Sequence, residues 1–187
     1  MPGRINSDLP SSRMEGRRLP VNSALASDTH FRMDASAVKV LLQEDEYVET
    51  LWADPVGPDL YRLDNSPFWA YGVSWRDIVE AHPDPDGMLR MTRVVEKSGH
   101  RTVRVILKPG VDVSPEAQAI MDGARALGAS CEGMNPAYLA IDIPPGVELM
   151  AVAKYLTERG VQWEHADPRY SELYPDDDER THHEAAG

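Results

Sequence analysis

From residue 37 to residue 107 the apolar residues fall in short runs divided by turn chemistry. The runs are "VKVLL" (38–42), "VETLWA" (48–53), "LYRLDN" (60–65), "RDIVEAH" (76–82), "MLRMTRVVEKS" (88–98) and "HRTVRVIL" (100–107). "DPVGPD" and "PDPDG" lie at two of the joins. Pro presets φ, Gly accepts positive φ and Asp bonds nearby backbone groups, so both strings favour chain reversal. In the last run Val103, Val105 and Leu107 alternate with His100, Thr102 and Arg104. A strand turns successive side chains to opposite faces, so this run has one apolar and one polar face. Strand after strand with short turns predicts a small, strongly curved antiparallel sheet or barrel.

Beyond residue 107 the period changes. Ser114, Pro115 and Glu116 make a helix start, with Ser as cap, Pro at the first helical position and an acid in the first turn. Ala117, Ile120, Met121, Ala124 and Leu127 recur at helical spacing, and Gly128 is the stop. "ASCEGM" and "AYLAIDI" read as a strand pair. After "PPG", a second helix carries Leu149, Val152, Ala153 and Leu156 on one stripe and ends at Gly160. "VQWEHA" closes as a strand. The order from "TVRVIL" onward is β-α-β-β-α-β, the ferredoxin-like order.

The expected fold is therefore α+β. A small antiparallel β-rich, barrel-like module over 37–99 precedes a ferredoxin-like module over 100–167. Residues 1–36 are rich in Ser, Arg, Pro and Asn without an apolar period, and disorder is expected there. Residues 168–187 are expected to form an acidic, flexible tail.

Charge narrows the possible partners. The 187 residues carry a formal net charge of −12, which repels phosphate backbones and anionic membrane surfaces. Nucleic acid and membrane are thus not expected as partners, and a basic protein is. No apolar run approaches the roughly 18–20 residues that span a bilayer, and the N-terminal arginines lack the apolar stretch of a secretory signal. Cys131 is the single cysteine, so no intrachain disulfide or cysteine-based zinc site can form. A cytoplasmic protein without metal or cofactor is the expectation.

Motifs of catalysis are mostly lacking. "GARALGAS" has no lysine for a phosphate loop, and "GVSWR" has Arg76 where a nucleophile elbow needs Gly. "SGHRTVR" (98–104) is the string closest to catalysis, because a histidine beside a hydroxyl can activate it. Spacing on one strand face makes such neighbours by default, and a bend at Gly99 before a half-polar strand is the better explanation. "LDNSPFWAYGVSWRD" (63–77) crowds Phe68, Trp69, Tyr71 and Trp75 around a Pro and a Gly. Asp64, Asn65, Ser66 and Pro67 are turn chemistry. Phe68 is expected to fill the barrel core, and Trp69 or Trp75 to form a lip for binding.

"ETLWA", "YRLDNSPFWAYGVSWRDIVEA" and "VVEKSGHRTVRVIL" resemble the bacterial family known as domain of unknown function 4265. Its recurring strings fall here on Leu51-Trp52, on Tyr61 with Leu63 to Asn65, on Pro67-Phe68, on Gly72 to Ser74 with Asp77 and Val79, and on Ser98 to His100 with Thr102 and Arg104. The resemblance covers residues 38–107 well and the C-terminal half loosely. It implies no activity, but it singles out Asp64, Asn65, Ser98, His100 and Arg104.

The expected binding residues are Asp64, Asn65, Trp69, Tyr71, Trp75, Ser98, His100 and Arg104, with no catalytic set. The expected function is a cytoplasmic binding or regulatory protein, such as an immunity-type inhibitor of a basic protein. The alternative is a small-molecule-processing enzyme or ligand sensor around His100, with Ser98 or Asp64.

Overall fold

The computed structural model describes residues 37–44, 47–108, 114–135 and 137–175. The segment 1–36 and the end of the tail, 176–187, lie outside the described residues. The described residues all belong to one compact unit.

Five strands form a closed barrel: β1 (Val38–Glu44), β2 (Tyr47–Gly57), β3 (Leu60–Leu63), β4 (Ile78–Pro83) and β5 (Leu89–Glu96). Successive strands pair antiparallel, and β1 meets β5 in parallel to close the ring. Alternation decides what goes inside. Val40, Leu42, Leu51, Ala53, Leu63, Val79 and Ala81 point inward and are buried. Closure leaves no strand edge exposed. The β2–β3 reversal is tighter than "DPVGPD" suggests, because β2 runs to Gly57 and only residues 58–59 turn, with Asp59 at φ 57°.

The barrel core corrects one expectation. The loop 64–77 contributes Ala70 and Val73 to it, not Phe68. Phe68 is part-buried, and its ring lies 5.9 Å from that of Tyr138 on the second sheet. A loop seals the mouth of so narrow a barrel with small residues, and the large rings pass outward to the join. Phe68→Ala is accordingly expected to cost about 1–2 kcal/mol in a urea melt, below the ~3–5 kcal/mol of a core ring.

The second sheet holds β6 (Arg101–Ile106), β7 (Ser130–Asn135), β8 (Tyr138–Ile143) and β9 (Gln162–Asp167). Its order is β7-β8-β6-β9, and every neighbour is antiparallel. Helix α1 (Ser114–Ala126) lies between β6 and β7 in the chain, and α2 (Leu149–Glu158) between β8 and β9. Both helices pack on one face. Ala117, Ile120, Ala124, Leu149, Val152 and Leu156 meet Val103, Val105, Leu139, Ile141 and Ile143. Gly128 ends α1 at φ 91°, a left-handed conformation that a side chain would strain.

The other face of this sheet departs from expectation. Thr102 and Arg104 alternate with Val103 and Val105, as the sequence suggests, yet they are 0% and 1% exposed. The loop 64–77 of the barrel covers them, through bonds from Thr102 to Ser74 and from Arg104 to Phe68. The start of the tail is also built in: α3 (Tyr170–Leu173) follows β9 directly.

Candidate functional site

Two polar clusters and one cleft lie where the barrel loop meets the second sheet. The first cluster centres on Asp77, which is fully buried at the end of the loop. Its carboxylate accepts from Ser74 N at 3.0 Å, Ser98 N at 2.8 Å, Ser98 Oγ at 2.9 Å and Lys97 Nζ at 3.0 Å. Lys97 also donates to Asp167 Oδ2 at 2.7 Å and to Gly72 O at 2.9 Å. Ser74 Oγ, itself buried, donates to Asp167 at 2.6 Å and lies 2.9 Å from Thr102 Oγ1. Burial pulls the Lys97 ammonium pKa down, but hydrogen bonds to Asp167 and Asp77 outweigh it, and the net shift is upward. Lys97 thus ties barrel loop to sheet as a fixed cation.

The second cluster surrounds Arg104. Its guanidinium stacks 4.1 Å from the centre of the Tyr71 ring, and Nη1 donates to Phe68 O at 2.6 Å. Nε lies 3.0 Å from Glu164 Oε1 but is misaligned for a hydrogen bond. Tyr71 Oη donates to Glu164 Oε2 at 2.7 Å. Burial, reinforced by that carboxylate, pushes the Tyr71 phenol up to about 12. Tyr138 Oη donates to the same Phe68 carbonyl at 2.6 Å. The loop is pinned from the barrel side too, where the Glu49 carboxylate accepts from the backbone N–H groups of Phe68, Trp69 and Ala70.

Beside this second cluster a cleft of about 800 Å³ opens to solvent along the outer strand β9. Glu44, Tyr71, Trp163, Glu164, His165, Arg169, Tyr170 and Ser171 line it. Along β9, Glu164 shares a face with Arg104, while Trp163 and His165 share one with Val105 and Val103. The rings of Trp163 and His165 meet edge-on at 4.9 Å, and Tyr170 lies 4.7 Å from Tyr174. His165 is 6% exposed, and its Nδ1 has no hydrogen-bond partner. Burial holds its pKa below the usual value of 6.5, so the ring is neutral at pH 7.

The residues singled out in the sequence part company here. Tyr71 lines the cleft, with Arg104 directly behind it. Trp69 instead stacks on Tyr47 at 5.0 Å and meets Tyr138 in a tilted contact at 5.0 Å. Asn65 Oδ1 accepts from Trp52 N at 2.7 Å, and Asp64 N donates to Trp52 O at 2.8 Å, so both brace the barrel. Ser98 Oγ bonds Asp77 and the Trp75 carbonyl, not the His100 ring. His100 Nδ1 lies 2.8 Å from Asp142 Oδ1, with Trp75 edge-on at 5.4 Å. Glu44, Glu164, His165, Arg169 and Tyr170 were not singled out by sequence reasoning. The one available signal is "WEHADPRY" (163–170), which sets aromatic, acidic and basic side chains within a single strand and turn.

Among the described residues no group of three or more His, Cys, Asp or Glu is placed to hold a metal ion, and no helix is long and apolar enough to cross a membrane. The family model described as Domain of unknown function (DUF4265) matches residues 49–166, more than half of the chain. The protein belongs to the DUF4265 family. No curated protein matches its sequence. A solved structure titled "Novel crystal structure of a hypothetical protein from Neisseria gonorrhoeae" is similar, with a TM-score of 0.54 and 18% identity over 70% of this chain and 93% of that one. At that identity the likeness is one of fold.

The DUF4265 match takes in both polar clusters apart from Asp167 and ends at Ala166, inside β9. One carboxylate within it gives a pH test. Burial raises the pKa of Glu132, which accepts from Ser66 N at 2.9 Å. The folded protein therefore holds that proton more tightly than the unfolded chain. This contribution to stability is present below the ordinary carboxylate range and is lost as pH rises towards the raised pKa. Glu132→Gln keeps an acceptor oxygen without the charge. The variant is expected to be more stable than the parent at pH 7, with the gap closing below the carboxylate range, as read by urea melts across pH.

Proposed function

We propose that this DUF4265 protein is a non-enzymatic, cytoplasmic binding protein that engages a basic protein partner through the cleft along β9. The carrying observation is the cleft itself: a ligand-sized opening lined by aromatic rings, two carboxylates and a buried imidazole with one unpartnered nitrogen. Recognition sites combine apolar rings with a few oriented polar groups in this way. The −12 charge adds a long-range attraction for a basic partner. The enzyme reading has less support. Ser74 is buried, Ser98 is committed to Asp77, and His100 has Asp142 rather than a hydroxyl at its ring. We further read β6 to β9 with α1 and α2 as a ferredoxin-like unit, on the strand order β9-β6-β8-β7 with both helices on one face.

The test is site-specific photocrosslinking in cells of the source organism. Tyr170→p-benzoylphenylalanine places the probe on the cleft wall, where residue 170 is 52% exposed. Lys154→p-benzoylphenylalanine places it on α2, at a side chain that is 74% exposed. A discrete adduct from position 170 and none from position 154 is expected. Equal labelling at both, or none at 170, would sink the proposal.

A further inference from the structure

Resting on that reading of the cleft, we infer that Glu44, Tyr71 and Glu164 form a receptor for one cationic side chain, and that Arg169 fills it in the free protein. Arg169 Nη2 bonds Glu44 Oε1 at 3.0 Å, and the guanidinium lies 5.4 Å from the centre of the Tyr71 ring. A carboxylate beside an aromatic ring is the pairing that recognises a guanidinium or ammonium group. Arg169 is not built in as Arg104 is. Its side chain is 47% exposed, against 1% for Arg104. It follows β9 at the turn into α3, and its backbone N–H donates to Glu172. The backbone of residue 169 is thus held at the start of α3 independently of the guanidinium's contacts with Glu44 and Tyr71.

The charges decide what can replace it. Glu44 and Glu164 face the cleft, and Arg104 behind Tyr71 offsets one of them. With Arg169 in place the four groups sum to zero. With Arg169 displaced one negative charge is left over, beside Tyr71 and in the company of Trp163 and Tyr170. An incoming arginine or lysine side chain would restore neutrality and reuse the same contacts. Exchange of one exposed cation for another changes the net desolvation little, so binding turns on competition between them.

A plug engaged for about nine-tenths of the time lowers apparent affinity about tenfold. The probes are N-acetylarginine amide and its uncharged isostere N-acetylcitrulline amide. Each is titrated into the full chain and followed by the indole N–H resonance of Trp163. Arg169→Ala is expected to bind the arginine probe about tenfold more tightly than the parent. Glu44→Gln in the Arg169→Ala background should abolish that gain, and citrulline should bind neither protein. Arg169→Gln repeats the test with a side chain of similar length, and a thermal melt confirms that both variants fold. Equal arginine affinity in parent and variants, or no binding to any of them, would overturn the proposal. If arginine and citrulline bind alike, the cation receptor fails while the cleft stands as a binding site. The photocrosslink at position 170 judges that broader reading separately.

Discussion

Asp77→Ala is expected to destabilise the protein by about 3–5 kcal/mol, the cost of deleting one member of a buried charge network. Four donors converge on this carboxylate: Ser74 N, Ser98 N, Ser98 Oγ and Lys97 Nζ. Alanine supplies no acceptor, and Asp77 is fully buried, so the Ser74 and Ser98 N–H groups lose their partner, while the half-exposed Lys97 keeps access to solvent. Lys97 would keep Asp167 and the Gly72 carbonyl, so its charge would not be stranded. The loss therefore falls mainly on the two backbone N–H groups that fix the loop. Asp77→Asn should cost less, because one acceptor oxygen is kept, but its amide would face Lys97 with a donor. Urea denaturation at pH 7 measures both. A cost within about 1 kcal/mol for Asp77→Ala would mean that these bonds do not hold barrel to sheet.

Arg104→Ala is the second large effect, expected at about 2–4 kcal/mol. It removes a long buried side chain, its stacking on Tyr71 and one of two donors to the Phe68 carbonyl. The Glu164 side chain is 38% exposed, so it can turn to water, which keeps the cost below that at Asp77. Arg104→Lys should recover less than half of the loss, since an ammonium cannot lie flat on the ring and reach the carbonyl together. The combination with Tyr138→Phe carries the specific signature. Each single variant leaves Phe68 O one donor, and the double variant leaves none. The double variant should therefore cost more than the two singles added. Strict additivity would show that the shared carbonyl does not couple them.

The local elements were legible because the sequence expresses them locally. Period two in 38–107, helical spacing from Ser114 to Gly128 and from Leu149 to Gly160, and the turn strings each depend on near neighbours. The fate of the polar face of β6 was not legible. Thr102 and Arg104 have the pattern of a solvated face, and only the loop 64–77 arriving from the barrel turns that face into an interior. The same loop explains the error at Phe68: composition marks a ring for burial but does not say against which sheet. Tyr71 and Arg104 could be singled out because they lie in distinctive strings. Glu44 and Arg169 could not, being 125 positions apart and meeting only when the barrel closes beside β9.

The sequence by itself determined the run of short strands, the helices α1 and α2, the α+β class and the membership in DUF4265, because periodicity, caps and short strings are properties of adjacent residues. Tertiary structure alone decided that the barrel loop caps a polar sheet face and that a cleft forms along the open edge of β9. Those outcomes depend on contacts between segments far apart in the chain, where each side chain's role is set by whatever the fold places opposite it.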